Sequence, residues 1–85
     1  MNNPSLSLNL ANVRFVPVDA SAFESIYYAA ASRQLIIKFR DNLPTLCFSN
    51  VPGFRYDGLL AAPRKDAYYK TFIENQFMTS QVKLP

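Results

Sequence analysis

The chain has 85 residues, 49% of them hydrophobic and 14% aromatic, which predicts one folded domain and excludes both a disordered chain and a two-domain protein. Nine Lys and Arg residues against six Asp and Glu give a formal charge of +3, which permits an anionic partner without requiring one. A single Cys excludes an internal disulfide, and no apolar run approaches the roughly 20 residues that cross a bilayer, so we expect a cytoplasmic protein without membrane contact.

Residues 1–12 are rich in Asn and Ser and lack the basic and apolar segments of a signal peptide. Within them Leu6, Leu8 and Leu10 alternate with polar residues, a pattern typical of an edge strand. Two interpretations stay open for this segment. It is either a flexible arm or a strand that pairs with a neighbouring subunit.

Four strand-like stretches follow the arm, at residues 13–18, 24–29, 34–40 and 45–49. In the third stretch, alternation places an apolar set on one face and a polar set, together with Ile36, on the other. The apolar set is Leu35, Ile37 and Phe39, and the polar set is Gln34, Lys38 and Arg40. Antiparallel pairing with the fourth stretch adds Leu46 and Phe48 to the apolar face. That apolar face must be buried against another part of the chain.

The second half of the chain has the spacing of helices. Val51-Pro52 ends the fourth strand and begins a first helix, because Pro at a first helical position forfeits no hydrogen bond. This helix carries an apolar stripe and ends at Pro63; the stripe is Tyr56, Leu59 and Leu60. Asp66 is predicted to cap a second helix, whose stripe is Tyr69, Phe72, Ile73 and Phe77. Residues 78–85 are predicted to be a tail.

Strands followed by helices, without alternation of the two, indicate an α+β fold. We predict an antiparallel three- to four-stranded meander followed by two short helices packed on one face. The chain divides into an N-terminal arm at residues 1–12, a single domain at residues 13–82 and a tail at residues 83–85.

A series of short segments on both sides of Val51-Pro52 forms a pattern that extends over residues 13–82. The series comprises Val16, Ser21, Ile26-Tyr27-Tyr28, residues 35–39, residues 48–52, Tyr56, residues 59–63, Tyr68-Tyr69, Ile73 and Phe77. It resembles the KTSC domain, a module named for its occurrence at the C-terminus of some lysyl-tRNA synthetases and also found as a free-standing bacterial protein. The resemblance implies an RNA-binding role.

The chain departs from the pattern of that family at two places. Leu46 and Phe48 stand where the family usually has a Tyr-x-Tyr pair, and Arg64-Lys65-Asp66 stands where it tends to Ser-x-Gly. Any ligand contact that relatives make through those hydroxyls or that Gly turn is lost here. Because apolar bulk is kept at both positions of the pair, we interpret the pair as part of the core.

No combination of residues predicts a catalytic or metal site. The chain has no His, which is the commonest general base and metal ligand. Cys47 lies in a predicted strand without a His partner, so a small buried residue is the better interpretation than a nucleophile. The six acids lie mostly at turns and helix ends, and no Gly-rich phosphate loop is present. We expect no enzyme activity, no cofactor and no metal.

The best candidate site is the basic and aromatic outer face of the sheet, away from the helices. The candidates are Lys38, Arg40, Tyr27 and Arg14 on or beside this face, with Arg64 and Lys65 in the helix connector. Cations for phosphates and a ring for base stacking are what single-stranded nucleic acid requires. The same residue types are also expected on any solvated outer face of a meander.

An interaction module is the alternative from another class. The three leucines of the arm would add a strand to another subunit or to a protein partner. Ile36, if exposed with Tyr27 and Val16, would give that interface an apolar centre. The sequence therefore predicts a non-catalytic module that binds RNA or single-stranded DNA, or else a protein-interaction or homo-oligomeric module.

Overall fold

The structure is a computed structural model that describes residues 13–83. Within this range, five strands form one antiparallel sheet in chain order, and two helices lie between the fourth strand and the fifth. The elements are β1 (Val16–Pro17), β2 (Phe23–Ala29), β3 (Gln34–Phe39), β4 (Thr45–Phe48), α1 (Gly53–Ala61), α2 (Lys65–Phe72) and β5 (Thr79–Val82). The predicted α+β meander with two helices is confirmed, with one strand more than expected.

The register of the strands separates an inner face from an outer face. Ile26, Ile37 and Leu46 oppose one another across β2, β3 and β4, and directly opposed residues point to the same side of a sheet. The buried cluster joins this side to both helices and comprises Phe23, Ile26, Leu35, Ile37, Phe48, Val51, Leu59, Tyr69 and Ile73. The helices therefore cover the apolar face that the alternation predicted.

The prediction that residues 78–85 form a tail is wrong for the central part of this segment, which forms strand β5. Thr79 lies opposite Phe48 and Val82 lies opposite Thr45, so β5 pairs with the free edge of β4. Three of its four residues are exposed, and its sequence Thr-Ser-Gln-Val has no apolar alternation to indicate a strand. Pairing with β5 satisfies the backbone N–H and C=O groups at the edge of β4. The strand therefore forms because of a tertiary contact and not because of its own sequence.

The second helix ends earlier than its apolar stripe predicted. It stops at Phe72, and the Glu74 N–H then donates to the Tyr69 carbonyl. Asn75 has a φ of 62°, in the left-handed region that Asn tolerates better than most residues, and this conformation cannot continue a helix. Phe77 packs against the core from beyond the helix.

Asp66 lies inside the first turn of α2 and does not cap it, so that prediction is wrong. The N-cap residue is Arg64, which makes no side-chain capping bond. The Asp66 carboxylate instead accepts hydrogen bonds from the Ser21 N–H at 2.7 Å and the Ala22 N–H at 2.9 Å. These two bonds lower the pKa of Asp66 below its usual value, and nearby Arg40 lowers it further. The carboxylate ties α2 to the loop before β2.

We expect the Asp66→Asn variant to lose about 1 kcal/mol of unfolding free energy at neutral pH, because an amide replaces a charged acceptor of two hydrogen bonds. Because the pKa of Asp66 is lower in the folded state, its ionised carboxylate stabilises the fold at pH values above the unfolded-state pKa, near 3.9. This stabilisation is lost as the pH falls through the folded-state pKa. Urea unfolding should therefore show the difference from wild type shrinking below about pH 4. Asp57→Asn, on exposed α1 surface, is the control. A difference that stays constant with pH would contradict this role for Asp66.

The junction between β4 and α1 is held by β2 and by the turn after it. Asn50 adopts a φ of 62°, and the Val51 N–H then donates to the Arg33 carbonyl at 2.9 Å. The Tyr28 hydroxyl donates to the Val51 carbonyl at 2.6 Å, and the Tyr28 ring stacks on Tyr56 with centroids 4.7 Å apart. These contacts fix where α1 begins and hence where its first side chains lie.

Candidate functional site

The centre of the outer sheet face is buried. Tyr27, Ile36 and Cys47 oppose one another across three strands on this face, and Ile36 is 0% exposed. The expectation that an exposed Ile36 forms an apolar interaction centre is wrong, because Ile36 lies on the central strand with side chains packed on both sides. Val16 opposes Ile26, so it lies on the inner side of the sheet and does not join them.

The predicted basic residues of the sheet do not form one free cationic surface. On the outer face, Lys38 Nζ lies 3.3 Å from Glu24 Oε2, so its charge is paired. Arg40 lies beyond the end of β3, where its Nε donates to the Ala20 carbonyl at 3.1 Å. Arg14 is exposed and precedes β1 at the sheet edge. The structure places these three cations in three different surroundings.

Tyr27 lies on the outer face, as predicted, and is half-buried. Its ring faces Phe15, with centroids 6.3 Å apart and the planes at 55°. Phe15 therefore occupies one neighbouring position on this face.

Arg64 and Lys65, which the sequence placed in a connector, are the N-cap and the first residue of α2 and lie apart from the outer sheet face. Lys65 Nζ donates to the carbonyls of Leu60 and Ala62, each at 2.9 Å, and so satisfies the carboxyl end of α1. Arg64 is exposed beside it. A cleft of about 540 Å³ lies here, lined by these two cations and Lys70 but also by Asp19 and Asp66. The cleft therefore carries charges of both signs.

A different set of residues forms an exposed aromatic surface on the helices. We call Phe54, Arg55, Tyr68 and Phe72 the aromatic–arginine cluster. The Arg55 guanidinium carbon lies 5.1 Å from the Phe54 ring centroid and 4.5 Å from that of Phe72, within cation–π range. Tyr68 and Phe72 have centroids 4.7 Å apart at 46°. Phe54 is 65% exposed and Phe72 is 37% exposed.

The close contact of α1 and α2 builds this cluster. Gly58 faces the Tyr68 ring, and a Cβ at position 58 would overlap the Tyr68 phenol oxygen. Leu59 is the buried residue of α1, and Phe54, five residues earlier at about 100° per residue, lies on a different face of the helix. The two helices therefore bring Phe72 beside Arg55 while Phe54 points to solvent.

The sequence interpretation missed Phe54 and Arg55 and assigned Phe72 to a buried stripe. The exposure of Phe72 corrects that assignment, because the helix ends at this residue and the core takes Tyr69 and Ile73 instead. The sequence contains one signal that could have indicated these exposed residues. Phe54-Arg55 is an aromatic and basic pair in the first helical turn, outside the apolar stripe that begins at Tyr56.

Residues 13–83 contain neither a candidate metal site nor a helix that could span a membrane. There, no three His, Cys, Asp or Glu side chains come together in a group that could hold a metal ion. Within the same range, neither helix has the length and apolar character needed to span a bilayer. Cys47 is a buried free thiol, and burial raises the pKa of that thiol. The predicted arm with Leu6, Leu8 and Leu10 lies outside the described residues.

Comparison with known proteins gives the family. The sequence profile of the KTSC domain matches residues 19–77, well over half of the chain. A crystal structure of a KTSC domain protein from Yersinia pestis superposes with a TM-score of 0.78 at 25% sequence identity, covering 84% of this chain and 99% of that chain. No curated protein matches. By the match of its sequence and by its fold, this chain belongs to the KTSC domain family.

Proposed function

We propose that this chain is a non-catalytic, cytoplasmic module that binds single-stranded nucleic acid, RNA being the first candidate. Bases would stack on the aromatic–arginine cluster. The observation that carries the proposal is two exposed phenyl rings that share one guanidinium. Proteins that bind single strands combine aromatic platforms for bases with cations for the backbone.

The exposure of the rings supports a binding role over a core role. Phe54 leaves about two thirds of its surface in water, whereas Phe23 and Phe48 are buried in the core of this small domain. Exposed aromatic surface beside Arg is the composition found where proteins bind partners. A flat ring face accepts any base, because every base has a π-face.

Arg55 supplies the charge and holds the rings in place. Each cation–π contact at an exposed site contributes about 0.5–1 kcal/mol, and Arg55 makes one with each phenyl ring. Rings held in advance lose less conformational entropy when a base arrives. The guanidinium also offers donors to a phosphate, and the net charge of +3 favours approach of an anionic strand.

The proposal is tested by fluorescence anisotropy with labelled oligouridylate and oligothymidylate of about twelve nucleotides, a length within the site sizes of single-strand binders. We expect saturable binding, with log K falling against log salt by about 0.7 per phosphate neutralised. A fully paired RNA duplex should bind more weakly because its bases are stacked on each other. The absence of saturable binding to either single strand at low salt would remove the proposal.

The outer sheet face is the rival location for the same function. A variant that combines Lys38→Ala with Arg40→Ala removes two of the sheet cations that the sequence pointed to. Under the cluster proposal, this variant keeps most of its affinity, whereas Phe54→Ala loses more. If the Lys38 and Arg40 variant loses more affinity than Phe54→Ala, the binding site lies on the outer face, and the proposed function stands.

A further inference from the structure

A second cleft, of about 350 Å³, lies between α2 and the turn that follows β3. Its apolar lining is Phe39, Leu43 and Tyr69, and its charged lining is Asp41, Asp66, Glu74 and Lys70. This volume is at the lower end of the range for ligand sites, roughly 300–1,000 Å³. It suits one long side chain better than a pair of nucleotides.

The charge of this cleft is opposite to that of the chain as a whole. Three carboxylates and one ammonium line it, whereas the chain carries +3. Asp66 already accepts two backbone hydrogen bonds. Within the described range, Asp41 and Glu74 form no ion pair. Two carboxylates are therefore available to a cation, and the same carboxylates would repel a phosphate.

Tyr69 adds a polar group to the apolar side of the cleft. Its side chain is 7% exposed, and its ring packs on Phe23 and Phe39, each at 5.7 Å between centroids. Its hydroxyl has no hydrogen-bond partner among residues 13–83. Among residues 13–83 no buried side-chain oxygen lacks a hydrogen-bond partner, so this hydroxyl lies at the surface of the cleft and is not sealed in the core. Burial and the Glu74 carboxylate raise the pKa of Tyr69, and both residues line the cleft.

We propose that this cleft binds a lysine or arginine side chain of a partner protein. The aliphatic stem would lie against Phe39 and Leu43, with the charged head between the carboxylates of Asp41 and Glu74. The Tyr69 hydroxyl would accept a hydrogen bond from that head. This site is separate from the aromatic–arginine cluster, and it gives the domain a protein partner in addition to a nucleic acid.

The test is an NMR titration of the uniformly ¹⁵N-labelled full chain with the end-blocked peptides Gly-Arg-Gly and Gly-Lys-Gly. The matched control peptide carries norleucine, which has the same kind of stem without the charge. We expect saturable amide shifts around Ala22, Leu43 and Glu74 with at least one basic peptide and none with norleucine. Equal shifts with norleucine, or shifts spread over the chain, would overturn the proposal.

Variants then assign the contacts. Glu74→Gln and Asp41→Asn should each weaken binding of the basic peptide about tenfold, as expected for a charge-assisted hydrogen bond. Tyr69→Phe removes the hydroxyl, keeps the ring in the core and should weaken binding several-fold. Asp57→Asn removes an exposed acid of α1 outside the cleft and should change nothing. If Asp57→Asn and Glu74→Gln weaken binding of the basic peptide equally, the loss is an effect of net charge, and the proposed site is overturned. The Glu74→Gln variant should still bind oligouridylate as wild type does. The peptide result is then independent of the nucleic-acid proposal.

Discussion

Phe23→Ala is expected to lower the free energy of unfolding by about 3–5 kcal/mol, the range for removing a buried aromatic ring. Phe23 is fully buried at the start of β2, and its ring packs on Phe39 at 6.1 Å and on Tyr69 at 5.7 Å between centroids. These contacts join the sheet to α2. The cavity left by the ring cannot close easily, since both neighbouring rings are held by further core residues.

A loss of this size approaches the whole stability of the domain. At about 0.05–0.15 kcal/mol per residue, a chain of this length has roughly 4–13 kcal/mol. Urea unfolding followed by circular dichroism measures the difference. Met78→Ala, at a side chain that is 81% exposed, should change stability by less than about 0.5 kcal/mol. A loss below about 1 kcal/mol for Phe23→Ala would contradict the described core.

The largest expected effect on binding is that of the double variant with Phe54→Ala and Phe72→Ala. It should lower the affinity for oligouridylate by about 30-fold or more, because each base–aromatic stack contributes about 1–3 kcal/mol and 1.4 kcal/mol is tenfold. Both rings are partly exposed, so the fold should persist. Anisotropy measures the affinity, and a urea curve on the same sample checks that the variant is folded.

The matched control combines Val16→Ala with Met78→Ala, two exposed apolar side chains outside the cluster. This control should bind oligouridylate as wild type does. If both double variants lose affinity equally, the effect is a general loss of apolar surface and not stacking on the cluster. A wild-type affinity for the Phe54 and Phe72 variant would likewise exclude the cluster as the stacking surface.

The sheet and its covered face were predictable because the signals are local. Leu35, Ile37 and Phe39 alternate along one strand, and a period of two places them together whatever the rest of the chain does. Val51-Pro52 similarly marks the change from strand to helix, because Pro restricts both its own φ and the residue before it. Gln81 in β5 has no such signal, and its strand pairing depends on the free edge of β4.

The candidate site was less predictable, because charge along a strand does not reveal what each cation contacts. Lys38 was placed correctly on the outer face, but its pairing with Glu24 occurs where the register of β2 against β3 shifts between Phe23 and Ser25. Lys65 has the sequence of a free basic connector, yet it binds the last carbonyls of α1. The aromatic–arginine cluster needs two helices brought together at Gly58 before Arg55 can lie between two rings.

The amino-acid sequence by itself determined which side chains of the central strands face the helices and where sheet changes to helix, because side-chain period and Pro geometry act over a few residues. The tertiary structure alone decided which charges are paired, where Asp66 binds and how Phe54 and Phe72 come to share Arg55. Apart from the contact of Phe54 with its neighbour Arg55, these contacts join residues far apart in the chain, and their distances depend on how the elements pack on one another.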